Sequence, residues 1–186
     1  KSLRVFEISD NVALLKDITA SAGTQDDIWR ANDGKLSRWM ADDASTSWLT
    51  IDLGSTYLIN RWVVQHAGVA GEDAAYNTSA FRIQSSDDGE SWATVSTVVG
   101  NIDSITEETV PAFTARYVRL LIDKPNSTAN ERNRSCIAEI ELYGLAYEAQ
   151  EQTSTVVTQP PAQTGGEEEG SPESSLPAES TEPAPE

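Results

Sequence analysis

The stretch Trp48–Gln65, WLTIDLGSTYLINRWVVQ, decides the fold. Leu49, Ile51 and Leu53 fall on one side of an extended chain, and Trp48, Thr50 and Asp52 fall on the other. After Gly54-Ser55-Thr56, the residues Tyr57, Ile59, Arg61, Val63 and Gln65 alternate with Leu58, Asn60, Trp62 and Val64. A period of two, rich in β-branched and aromatic residues and broken at a glycine, reads as two strands joined by a tight turn. The second strand delivers His66, the one histidine of the chain, into the polar run AGVAGEDAAYNTS (67–79). Binding residues are commonly carried on such loops, positioned by a rigid scaffold.

Outward from this stretch the same punctuation repeats. Asn11–Ala20 is strand-like, with Val12, Leu14 and Ile18 available for a core, and residues 1–10 are a linker or a short strand. Ile28–Trp39 begins as a helical turn that Asn32-Asp33-Gly34 breaks. Phe81–Ser85 is a strand with Phe81 and Ile83 inward, and Asp87-Asp88-Gly89 turns it back into Trp92–Val99. Ile105–Val110 and Ala115–Asp123 are further strands, the latter with Val118, Leu120 and Ile122 on one side. Lys124–Ser135 is a second long polar loop, and Ile137–Tyr143 closes the series before Gly144. About eight short strands without a helical period argue an all-β, antiparallel β-sandwich.

Composition narrows the function. The chain of 186 residues has a net charge of −17. Nine acids, all Glu, lie after residue 145, where there is no base, so residues 1–145 carry a net charge of about −8. No basic footprint exists for nucleic acid or an anionic membrane surface. Six of the eight prolines also lie after residue 145, so residues 146–186 read as a disordered acidic linker, and 11–145 as the folded domain. A lone cysteine, Cys136, permits no internal disulfide and reads as a small buried hydrophobe. No apolar run spans a bilayer, and a chain beginning at Lys1 reads as a module excised from a longer protein. No nucleophile–base pair, HExxH, P-loop or GxGxxG is present, so no catalytic arrangement is expected.

Two constellations carry possible chemistry. Asp33 in RANDGKLSRW and Glu139 in IAEIELYG would supply carboxylates to a hard cation if the loop met the closing strand. The plainer reading has Asp33 shaping a turn before Gly34 and Glu139 facing solvent. The second is His66, Glu72, Tyr76 and Asn77, with Arg132 and Arg134 in the other long loop. An imidazole, a carboxylate, an amide and a guanidinium suit sugar hydroxyls, and Tyr76 or Trp39 offers a face for a pyranose ring. Here the plainer reading is a structural histidine and a solvated loop.

Taken in order, ANDGKLSRW (31–39), WLTIDLG (48–54), FRIQSSDDGESW (81–92), ARYVRL (115–120) and AEIELYG (138–144) resemble the landmarks of the discoidin, or coagulation factor 5/8 type C, domain. More narrowly, they resemble the family 32 carbohydrate-binding modules of bacterial glycoside hydrolases. The resemblance covers roughly residues 11–145 and implies a galactose-binding-like jelly roll. It implies a structural Ca²⁺ held by Asp33 and Glu139, with Ser37 and with carbonyls near Ile28 and Ala138. Gly34 to Trp39 is one residue shorter than the family's usual spacing. The resemblance further implies a site for terminal galactose or N-acetylgalactosamine, with His66 on the axial 4-hydroxyl beside Glu72, Asn77 and a loop arginine. A secreted or surface-anchored bacterial module follows, monomeric within a larger protein, binding host mucin-type glycans, with a protein-binding adhesion domain as the alternative. The membrane-binding relatives tie their termini with a disulfide and expose apolar spikes, and this sequence shows neither feature.

Overall fold

The computed structural model describes residues 10–23, 25–42, 46–126 and 133–147. The N-terminal segment, Arg132 and the acidic linker therefore lie outside the described residues, apart from Ala146 and Tyr147.

Seven strands form one continuous antiparallel ladder: β1 (Asp17–Ala20), β2 (Trp39–Asp42), β3 (Ser47–His66), β4 (Ala80–Ser86), β5 (Ala93–Val98), β6 (Ile105–Lys124) and β7 (Arg134–Ala146). Their order is β2-β7-β3-β6-β4-β5, with β1 also on β3. The ladder becomes a sandwich because β3 and β6, 20 residues each, pass through both layers. Their ends at Ser47–Asp52 and Tyr117–Ile122 pair in the layer of β1, β4 and β5, while Arg61–Gln65 and Ile105–Thr109 pair in the layer of β7 and β2.

Trp48–Gln65 is thus one bent strand, not a hairpin. Gly54 takes φ 82°, open to glycine at no steric cost, and its N–H donates to Asp52 Oδ1 at 2.8 Å. Arg116 grips the same carboxylate through Nε and Nη2, both at 2.9 Å, and holds it below the usual carboxylate range. The β3–β6 register jumps from Asp52/Tyr117 to Tyr57/Ala115 and carries on, so the chain bends without folding back. A second shift between Ile59 and Arg61 reverses the inward phase, so Ile59, Trp62 and Val64 are all buried. Gly144 does not end β7. It lies inside the strand, where an added Cβ would meet Leu58 O at 2.3 Å.

Leu49, Ile51, Leu53, Phe81, Ile83, Val118, Leu120 and Ile122 face Ile59, Trp62, Val64, Ile137, Ile140 and Leu142 across the core. Trp62 meets Phe81 edge to face at 5.8 Å between centroids, joining the layers. Fully burying side chains of this size contributes about 1.5–3 kcal/mol each, which makes this interface the main source of stability. Leu14, expected in the core, is exposed in the turn before β1, and Ala13 is buried instead. Among the described residues no helix is long and apolar enough to cross a membrane.

Candidate functional site

β2 and β7 pair with Asp42 opposite Arg134 and Met40 opposite Cys136, which brings the residues flanking β2 beside the start of β7. The long connection from β3 to β4 passes over the same place. Arg134 Nε meets Asp42 Oδ1 at 2.5 Å, and its guanidinium lies 5.3 Å from the centre of the Tyr76 ring. Arg38 Nη2 meets Glu72 Oε1 at 2.5 Å. The two pairs form one cluster, because the buried Cys136 thiol senses Arg38, Glu72 and Arg134 together. Burial is the main reason that thiol is pushed up to about 12. The bond to Asp42 raises Arg134, with Tyr76 and Glu72 adding to the effect. Glu72, Tyr76 and Arg134, read from the sequence, therefore converge. Arg38 and Asp42 join them without having been foreseen. Acceptor carboxylates, forked donors and a ring, all partly open to solvent, are suited to a hydroxylated ligand.

Three expected site residues stand elsewhere. His66 is 0 % exposed, with its ring 5.5 Å from that of Phe81 and Nε2 3.0 Å from Thr106 Oγ1. Burial drives its pKa down to about 4, so it is a neutral core residue and cannot meet a sugar hydroxyl. Asn77, also 0 % exposed, accepts from Gly68 N and donates to Ile102 O and Ser104 Oγ, fastening two loops together. Trp39 is 0 % exposed and offers no face for stacking.

Of the expected metal ligands, Asp33, Ser37 and Glu139 lie near one another. Asp33 shapes the turn, accepting from Lys35 N through Oδ1 at 2.9 Å, while Oδ2 accepts from Ser37 Oγ at 2.8 Å. The short spacing before Trp39 thus still brings Ser37 to Asp33. Ser37 Oγ also lies 3.4 Å from the carbonyl of Arg30; Ile28, expected to lend a carbonyl, packs its side chain into the core. Glu139 is 3 % exposed and takes Gly34 N on both oxygens, at 3.1 and 3.2 Å. Its pKa is raised to about 7, mainly by burial, with Asp33 adding repulsion. Gln65 pairs with Glu139 and His66 with Ile137, so Ala138 has no register partner on β3. Among the described residues no three His, Cys, Asp or Glu side chains converge. Two carboxylates, a hydroxyl and a carbonyl nevertheless form a hard-oxygen set whose chemistry fits Ca²⁺.

Residues 17–140 match the F5/8 type C domain. The chain belongs to that family. Among solved structures, this F5/8 type C domain is 30% identical to chitosan-binding module 1 of a chitosanase/glucanase from Paenibacillus sp. IK-5, with 73% of this chain and 99% of that one covered and a TM-score of 0.60. Module 2 of the same enzyme, solved in complex with chitotriose, is 31% identical over 72% and 100%, with a TM-score of 0.59. The family 32 carbohydrate-binding module of EndoD from Streptococcus pneumoniae is 22% identical over 72% and 99%, and its TM-score of 0.63 shows the shared fold. No curated protein matches the chain.

Proposed function

We propose that this F5/8 type C domain is a non-catalytic carbohydrate-binding module that grips sugar through Arg38, Asp42, Glu72, Tyr76 and Arg134. The observation that carries the reading is their convergence, with two guanidinium–carboxylate pairs and a tyrosine ring at one end of the sandwich. The resemblance implies terminal galactose or N-acetylgalactosamine on mucin-type glycans with His66 on the axial 4-hydroxyl, and His66 and Asn77 are both buried. The two relatives at 30% and 31% identity bind chitosan by name, and an acidic domain attracts a cationic sugar. Glucosamine-containing oligosaccharides are therefore the first ligand class, and galactosides the second. The same reading gives Arg30, Asp33, Ser37, Ala138 and Glu139 a structural Ca²⁺, and gives the module a place in a secreted glycoside hydrolase.

One sugar of about 12 heavy atoms, at roughly 0.3–0.5 kcal/mol each, gives a dissociation constant of about 0.04–2 mM, so retention on a surface needs avidity. Calorimetric titration with chitotriose and with N-acetyllactosamine tests the proposal. Millimolar or tighter binding that Arg134→Ala weakens at least tenfold, at unchanged melting temperature, supports it. Silence toward both sugars and a wider glycan array, from folded protein, overturns it in favour of a protein-binding adhesion domain.

A further inference from the structure

At the opposite end of the sandwich, the β4–β5 turn, Trp92 and Thr114 line a hollow of about 340 Å³, with Asp87, Asp88 and Ser91 among its walls. Its volume falls in the range of small-molecule sites. The β4–β5 turn shapes it. Asp88 Oδ1 accepts from Ser86 Oγ, Glu90 N and Ser91 N, at 2.9, 2.8 and 2.7 Å. The backbone bonds from Ser91 and Glu90, with the Ser86 and Ser91 hydroxyls, hold the carboxylate ionised, with its pKa lowered to about 2, and the three bonds above enter through Oδ1.

The wall of the hollow is braced from behind. The Arg119 guanidinium lies 3.7 Å from the centre of the Trp92 ring and 4.7 Å from that of Trp48, while Nε donates to Thr50 Oγ1 at 3.0 Å. Arg30, Arg38, Arg61, Arg82, Arg116 and Arg134 each have a carboxylate partner. Arg119 is the one described arginine without such a partner, and the two indoles hold it in place. Trp92, half-buried, is thereby fixed before any ligand arrives, and the ordering cost of an aromatic contact is met by the fold.

We propose that this hollow is a second carbohydrate subsite, taking one neutral or amino-bearing pyranose with its apolar face on Trp92 and its hydroxyls toward Asp88 Oδ2 and Thr114. Asp87 and Asp88 disfavour uronic and other acidic sugars by like-charge repulsion. The chemistry matches the subsite to an aromatic-plus-carboxylate sugar contact, and its distance from Arg134 would let one module touch a polymer or a glycan surface twice. The subsite rests on the carbohydrate reading of the domain but not on the loop-end cluster.

The test is a ¹⁵N–¹H titration of the full chain with chitotriose, and separately with N-acetyllactosamine, following the indole N–H signals and the backbone amides of Tyr76 and Arg134. Trp92→Phe identifies the Trp92 signal by its loss, and the buried Trp39 and Trp62 serve as controls. The expected result is a Trp92 shift that saturates in the millimolar range. It should vanish in Thr114→Arg, which fills the hollow from an exposed strand position, while the Tyr76 and Arg134 shifts persist. A Trp92 signal that stays still while the Tyr76 and Arg134 amides move overturns the subsite and leaves the loop-end site standing. A Trp92 shift unchanged in Thr114→Arg overturns it as well. Silence at both ends overturns the subsite together with the carbohydrate reading.

Discussion

At the residue scale, burial acts on His66 and Glu139 in opposite senses: the imidazole is driven down to about 4 and the carboxyl up to about 7. His66, lowered from 6.5, contributes stability that is full above 6.5 and is lost as pH falls through 4. Glu139, raised from 4.5, contributes stability that is full below 4.5 and is lost as pH rises through 7. In calcium-free protein the two slopes therefore oppose one another between about 4.5 and 6.5. Urea midpoints in a chelator should rise with pH over that window in Glu139→Gln and fall in His66→Gln, each by the equivalent of about 1–3 kcal/mol. Parallel profiles in the two variants would refute the assignment. The sequence offered His66 and Asn77 as polar loop residues. The side His66 takes depends on the register shift beside it, and Asn77 is claimed by partners up to 27 residues away. Neither fact is local, so neither was readable. Arg38 and Asp42 escaped notice for the same reason, since the partner of Asp42 lies 92 residues further on.

At the element scale, the inward sets Leu49/Ile51/Leu53, Phe81/Ile83 and Val118/Leu120/Ile122 were legible as alternation, and all are buried. What alternation concealed was continuity. Gly54 looks like a hairpin turn, and Ile105–Val110 and Ala115–Asp123 look like two strands, yet β3 and β6 each run on unbroken. Whether a glycine reverses a strand or bends it depends on what lies alongside, and β6 lies alongside β3 on both sides of the bend. At Gly144, β7 lies so near β3 that an added Cβ would meet Leu58 O at 2.3 Å. Gly144→Ala should push the strands apart and lower stability by about 1–3 kcal/mol, seen as a lower urea midpoint with an unchanged slope. A wild-type midpoint would mean that the backbone yields there without cost.

At the scale of the whole molecule, the five ordered motifs were enough to place the domain, because they encode packing between distant strands. The binding loops were not, because each residue there answers to a different partner. The proposed Ca²⁺ would join the Asp33 loop to β7 and so tie an irregular segment to the sheet. A ligand that binds only the folded state at 100 times its dissociation constant adds about 2.7 kcal/mol. Chelation should therefore lower the melting temperature of the parent at pH 7 but leave that of Asp33→Ala unchanged; identical melting of the parent with and without chelator would remove the ion. Finally, Asn11 bridges Tyr143, and Val12 N donates to Leu142 O at 2.8 Å, so the chain enters and leaves the sandwich side by side. Tension applied to the two ends of the sandwich would reach the short ladder at Asn11 and Val12 first and peel it one bond at a time, sparing the bent strands and the proposed sugar site beyond them.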